Sequence, residues 1–284
     1  MTPACVPVPP RRMARAPARE LAARALLAAI FALTSCAPHR QAALPPLASG
    51  AREAVFREAL ARREALGRAV DAEVTLWGRS QNAGAWPGVT GALMLAAPDA
   101  VRLRVASWFG TAFDASARGD SVVAVLPARR LGLAVDATRD ALGLRRPGAV
   151  GFRLFTATWH PPDSAWASQV GSEGALVLRW TEEGNSLRLG VGPDGLPGGL
   201  TLTRGDSVRI QVSYGGWKRH DGVAWPSSIE LGDGDGAWTL RCRVERARFR
   251  ARPRARRPVL RLPAGTEALE WPAFRRELER GREL

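Results

Sequence analysis

The chain has 284 residues, 46% of them hydrophobic, and a formal net charge of +14. That apolar content excludes a wholly disordered chain, and three cysteines exclude a disulfide-dense scaffold. The charge is local: residues 241–261 hold ten arginines against Glu245, and Lys218 is the one lysine of the whole chain, an arginine habit of composition.

Arg11, Arg12, Arg15, Arg19 and Arg24 precede the apolar run Ala25 to Leu33, and Thr34-Ser35 leads into Cys36. A basic segment, a short apolar run and small residues before a cut are the parts of a secretory signal. Nine apolar residues make about 14 Å of helix at ~1.5 Å per residue, too short for a bilayer span. The run therefore predicts export and no anchor. Leu33-Thr34-Ser35-Cys36 resembles the bacterial lipobox, in which the cysteine is acylated, for example with palmitate, and becomes the first residue. The other reading is a plain signal peptide with a chance cysteine near the cut. The lipobox implies a signal peptide over 1–35, lipidation at Cys36 and a Pro-rich lipidated tether over 36–50. Two or more acyl chains bind a membrane stably, so such an N-terminus holds firmly. Ala37 in place of Asp directs such a lipoprotein to the outer membrane, facing the periplasm, in lineages with the Asp-retention rule. Cys5 leaves with the leader, so Cys242 remains alone, expected as a small core residue.

Val55, Phe56, Ala59, Leu60, Leu66 and Val70 recur at helical spacing and predict an amphipathic helix over Ala51–Val70. From Asp71 the period becomes 2: Ala72, Val74 and Leu76, then Val89, Gly91, Leu93 and Leu95, then Val101, Leu103 and Val105. Strands follow near Ala112–Ser116, Val122–Leu126 and Leu131–Val135, with Arg118-Gly119-Asp120 as a hairpin turn. Short helices are expected at Thr138–Leu142 and Val150–Phe155, and His160-Pro161-Pro162-Asp163 is irregular. Strands resume with Leu176, Leu178 and Trp180, with Leu187, Leu189 and Val191, and near Gly199–Thr203. Val208, Ile210, Val212 and Tyr214 form another, then Val223–Leu231. The last places Trp238, Leu240, Cys242 and Val244 on one face and Arg241 and Arg243 on the other. The end, 251–284, reads as a basic loop with a short helix near Pro272, either docked or loose, with Trp271, Phe274 and Leu278 on one side.

A lipobox, one amphipathic helix and a long antiparallel meander together resemble the LolA/LolB-like lipoprotein-carrier superfamily. Two windows carry this further: Leu93 to Thr111, a strand pair ending in Ser107-Trp108-Phe109-Gly110-Thr111, and Gly222 to Leu231 followed by Trp238–Phe249. The resemblance implies a mainly β (α+β) fold over 51–250. In that fold a single curled antiparallel sheet of about 11–12 strands forms a half-open β-barrel, its concave face covered by the helices. It further implies a protein that binds acyl chains of a lipid or of a lipoprotein in transit. Candidate cavity-lining residues are Val74, Leu76, Leu93, Leu103, Val105, Leu178, Trp180, Val212, Trp238 and Leu240. The alternative is a structural or protein-interaction lipoprotein whose inward residues fill a solid core. Alternation sends Trp108 outward and Phe109 inward, so either the pair folds in, or Trp108 contacts membrane or acyl chain with Phe109 at the mouth.

No nucleophile elbow, phosphate loop or paired metal ligands stand in the sequence, so the reading is a binding protein, not an enzyme, with no cofactor or metal. His220-Asp221 reads as a surface loop pair and Asp233-Gly234-Asp235-Gly236 as a tight turn. For the basic stretch, a solvated face and an anionic-lipid contact both fit. Nucleic acid does not, because an exported lipoprotein rarely meets it.

Overall fold

The computed structural model describes residues 49–81, 84–85, 88–107, 110–136, 146–162, 167–170, 176–205, 207–251 and 261–280. The signal, Cys36, the tether to residue 48, the pair Trp108 and Phe109, and the expected helix Thr138–Leu142 lie outside them. Helix α1 (Ser49–Leu66) buries Phe56, Leu60 and Arg63, while Glu53–Arg57 and Glu58–Arg62 pair one turn apart on its outer side. It stops earlier than the spacing predicts. The Gly67 N–H donates to the Arg63 carbonyl at 2.7 Å, and a Cβ on Gly67 would stand 3.1 Å from the Trp225 ring. Val70 consequently belongs to the following strand and not to the helix.

Seven strands follow: β1 (Ala69–Ser80), β2 (Gly84–Ala85), β3 (Val89–Ala96), β4 (Ala100–Ser107), β5 (Gly110–Arg118), β6 (Ser121–Leu126) and β7 (Leu131–Asp136). Helix α2 (Pro147–Thr156) separates them from β8 (Ala167–Val170), β9 (Leu176–Glu182), β10 (Asn185–Val191), β11 (Pro197–Arg204) and β12 (Ser207–Gly215). Then come β13 (Lys218–His220), β14 (Val223–Trp225), β15 (Ser228–Gly232), β16 (Trp238–Arg250), β17 (Glu267–Ala268) and helix α3 (Trp271–Arg280). The expected strand Val223–Leu231 is two, because Pro226 lacks an N–H for the ladder. Its first half pairs with β13 as a separate hairpin.

Fifteen of these strands form one open sheet in the order β17-β7-β6-β5-β4-β3-β1-β16-β15-β12-β11-β10-β9-β8, with β2 beside β1. The short strands β2, β8 and β17 account for the excess over the expected eleven to twelve. All pairs are antiparallel except β17–β7, which is parallel, a departure from the purely antiparallel expectation.

Register aligns one apolar side along the path from β7 to β9. Val74 stands opposite Gly91 and Val244, Leu76 opposite Val89 and Cys242, Leu93 opposite Leu103, and Leu189 opposite Leu178 and Leu200. A single buried cluster takes residues from β1, β3 and β4, from β9 to β12, and from α1 and α2. Strands this far apart in the sheet meet in one core because the sheet curls. Bulges at Glu73/Val74, Val105/Ala106, Gly190/Val191 and Leu202/Thr203 sharpen that curl.

Helix α2 bridges the curl. It packs on β4, β5 and β6, and Arg153 reaches Glu182 on β9 at 2.8 Å. Its first turn presses on the β5–β6 turn, where the Gly148 N–H donates to the Gly119 carbonyl at 3.0 Å. A Cβ on Gly148 would stand 2.1 Å from the Asp99 carbonyl oxygen, so only glycine permits that approach. Helix α3 docks rather than hanging free. Phe274 is buried against Ala124 and Leu133, with Trp271 and Leu278 beside it, and Arg129 bonds Glu277 at 2.9 Å.

Candidate functional site

The inner face of the sheet collects most of the residues expected to line a cavity. Val74, Leu76, Leu93, Leu178, Trp180 and Val212 are buried there. Leu103, Val105 and Leu240 remain half-buried against the same cluster, as do Val89 and Ile210. Trp238 departs from the expectation: it is 41% exposed. It has the inward parity of Leu240, but as the first residue of β16, opposite Ser80, the last of β1, it sits beyond the covered part of the face. A cleft of about 530 Å³ lies nearby on Arg79, Gln81, Glu230 and Thr239, and none of its lining residues is among those expected to hold acyl chains.

Over this face α1 contributes a residue that the strand pattern did not single out. Arg63 is 0% exposed, and its Nε, Nη1 and Nη2 have no hydrogen-bond partner among the described residues. Its guanidinium carbon stands 5.4 Å from the centre of the Trp217 ring. A desolvated cation–π contact is worth roughly 2 kcal/mol, less than the several kcal/mol lost on taking a guanidinium out of water. The ring therefore does not offset the burial. Burial pulls the Arg63 pKa down to about 10, with Tyr214 and Asp194 opposing the shift, so the group stays charged at neutral pH.

Aromatic side chains build the surroundings. Trp159 donates from Nε1 to the Tyr214 hydroxyl at 2.8 Å, and both are buried. Burial pushes the Tyr214 hydroxyl above the usual phenol range. Thr156 bonds Thr158 at 2.6 Å and the Phe152 carbonyl at 2.8 Å, fixing the turn that carries the chain from α2 to Trp159. On the outside, His160 meets Glu64, the neighbour of Arg63, so Glu64 faces away from the core. One sequence signal for Arg63 existed: Phe56, Leu60, Arg63 and Gly67 follow the buried stripe of α1, with a cation in an apolar position.

The remaining candidates take ordinary places. The His220 ring packs tilted against Phe249, ring centres 4.9 Å apart, and Asp221 occupies an exposed turn. Asp233 Oδ1 accepts the Trp238 N–H at 3.2 Å, closing the acidic loop as a turn. Among the described residues no group of three or more His, Cys, Asp and Glu stands placed to hold a metal, and no helix is long and apolar enough to cross a membrane. Arg241, Arg243, Arg246 and Arg248 are exposed on β16, as alternation predicts up to the bulge at Glu245. Arg246 pairs loosely with Glu73 at 3.7 Å and Arg250 with Asp71 at 2.8 Å.

No protein-family model matches the chain, and no curated protein matches it. Among solved structures it is similar to a LolA superfamily protein of Nitrosomonas europaea, with 9% identity, 70% of this chain and 93% of that chain covered, and a TM-score of 0.48. It is similar to a domain named as an outer membrane lipoprotein-sorting protein of Vibrio parahaemolyticus, with 9% identity, 82% and 99% coverage and a TM-score of 0.49. A DUF1329 family protein of Desulfovibrio piger overlaps at 9% identity, 69% and 92% coverage and a TM-score of 0.48. At scores below 0.5 these are likenesses of outline, and they carry no conclusion about what the chain binds.

Proposed function

We propose that the chain is a lipid-anchored periplasmic protein that holds acyl chains, of a lipid or of a lipoprotein in transit, on the inner face of its sheet. The observation supporting this is the apolar side shared by the twelve strands from β7 to β9 along the path, edged by half-buried Leu103, Val105, Ile210 and Leu240. Apolar side chains left partly open along one face favour an apolar partner. The anchor is Cys36, and the outer membrane is its destination. Trp108, between β4 and β5, engages the membrane or the acyl chain, with Phe109 behind it. Nothing in this function calls for a catalytic residue, a cofactor or a metal.

A second reading keeps the same fold with a filled core and an interacting surface. It is favoured by Phe56, Trp159, Leu178 and Leu189, each at 1% exposure or less beneath the helices. Titration with a fluorescent fatty-acid probe separates the two. Saturable binding with blue-shifted emission is expected for the carrier, whereas a purified chain that ignores the probe favours the filled core. Fatty-acid labelling in cells is expected to require Cys36; equal labelling of Cys36→Ser removes the anchor.

A further inference from the structure

The core beneath α1 holds donors without acceptors. Arg63 presents three buried nitrogens with no hydrogen-bond partner among the described residues. Tyr214 accepts a bond from Trp159 and makes no second one among the described residues, so its own proton is left to give. The nearby acids give Arg63 no hydrogen bond among the described residues, although the charge of Asp194 acts on it at a distance. Glu64 is turned out onto His160, and Asp194 is exposed and accepts the Leu196 N–H at 3.1 Å. A buried cation with a planar fork of donors matches two oxygens of an oxyanion, which bind it side by side. Against that fork stands Trp217, and Trp159, Phe56 and Leu60 belong to the apolar core of the same face, which offers little to a wholly polar ligand and a surface to a hydrocarbon tail.

We propose that Arg63 receives the oxyanion head, carboxylate or phosphate, of a single-chain lipid whose tail lies along the inner face of the sheet. This rests on the acyl-binding reading above and deepens it: the head goes inward to α1, and neutral chains are discriminated against. Tyr214 supplies a further donor to the same oxyanion, and Trp159, by bonding Tyr214, holds that hydroxyl in place.

The test uses the full chain, purified and stripped of lipid, with a bound fluorescent acyl probe displaced by palmitate, hexadecyl phosphate, hexadecanol or inorganic phosphate. One or both anionic lipids are expected to displace the probe at least ~10-fold more effectively than hexadecanol, and the stronger identifies the head. Inorganic phosphate alone is expected to displace nothing. In Arg63→Leu the preference for the anionic lipids should vanish; Arg63→Lys, which keeps charge and loses the fork, should fall between. If Arg63→Leu does not fold, Arg63→Lys and Tyr214→Phe carry the test, each expected to narrow the preference at least 3-fold. Equal displacement by all three lipids, or a preference that survives these variants, overturns the inference and leaves the acyl-binding reading standing. Displacement by none of them overturns both.

Discussion

Cys242 faces the core from β16 at 0% exposure, and burial pushes its thiol up to about 12. The folded chain should therefore resist iodoacetamide at pH 8 at this position and react within minutes in denaturant; rapid labelling of the folded chain would place the thiol elsewhere. The same burial couples to stability. The folded pKa lies above the unfolded one, so its contribution is full below the usual thiol range and is lost as pH rises toward 12. Above about pH 9 unfolding free energy should fall, with a slope of up to ~1.4 kcal/mol per pH unit from this group; toward pH 10 Tyr214, also raised, adds to the fall and Arg63, lowered, opposes it. Cys242→Ala should flatten that slope. On the outer face, Asp114 is 6% exposed and accepts from Arg102 at 2.8 and 2.6 Å and from Arg104 at 3.1 Å. Its hydrogen bond raises the Arg102 pKa above the usual guanidinium value. Asp114→Ala leaves two arginines facing each other and should cost about 3 kcal/mol in urea unfolding. A loss under about 0.5 kcal/mol would mean that solvent already screens the cluster.

The docking of α2 turns on a glycine. In an open helix, Gly→Ala stabilises by up to ~1 kcal/mol. At Gly148 the added Cβ meets the Asp99 carbonyl oxygen at 2.1 Å and the Gly119 nitrogen at 2.6 Å, both backbone atoms that cannot swing away. Gly148→Ala is therefore expected to lower stability by about 1–3 kcal/mol, the usual cost of overpacking; a raised melting temperature would contradict the packing described for α2. On β16 the exposed arginines make the vesicle prediction. If they touch anionic lipid, each contributes on the order of 1 kcal/mol, screened as the Debye length falls from about 10 Å at 0.1 M salt to about 3 Å at 1 M. Binding to anionic vesicles should then collapse over that range, and salt-independent binding would leave these residues a solvated face. Strands were legible because alternation is strict wherever one side is buried, as in Ala72, Val74 and Leu76. What the pattern could not carry were boundaries set by tertiary contact: the end of α1 at Gly67 under Trp225, the break at Pro226, and the shift of inward parity to Ala247 and Phe249 after the bulge.

At the scale of the whole molecule, the one-sided apolar sheet and its helical cover follow from patterning, and nine of the ten expected lining residues lie on that side because their parity holds. Trp238 escapes because parity says which way a side chain points and not whether anything stands over it. Arg63 escapes for the converse reason: composition marks arginine as a surface residue, and only the helix stripe it shares with Phe56 and Leu60 places it inside. The curled sheet is expected to act as a container. Native mass spectrometry of the chain purified without detergent measures that most directly. Adducts of the mass of acyl lipids, removed by organic extraction and restored by added fatty acid, are the predicted result. A single lipid-free mass that added fatty acid leaves unchanged would contradict the acyl-binding function.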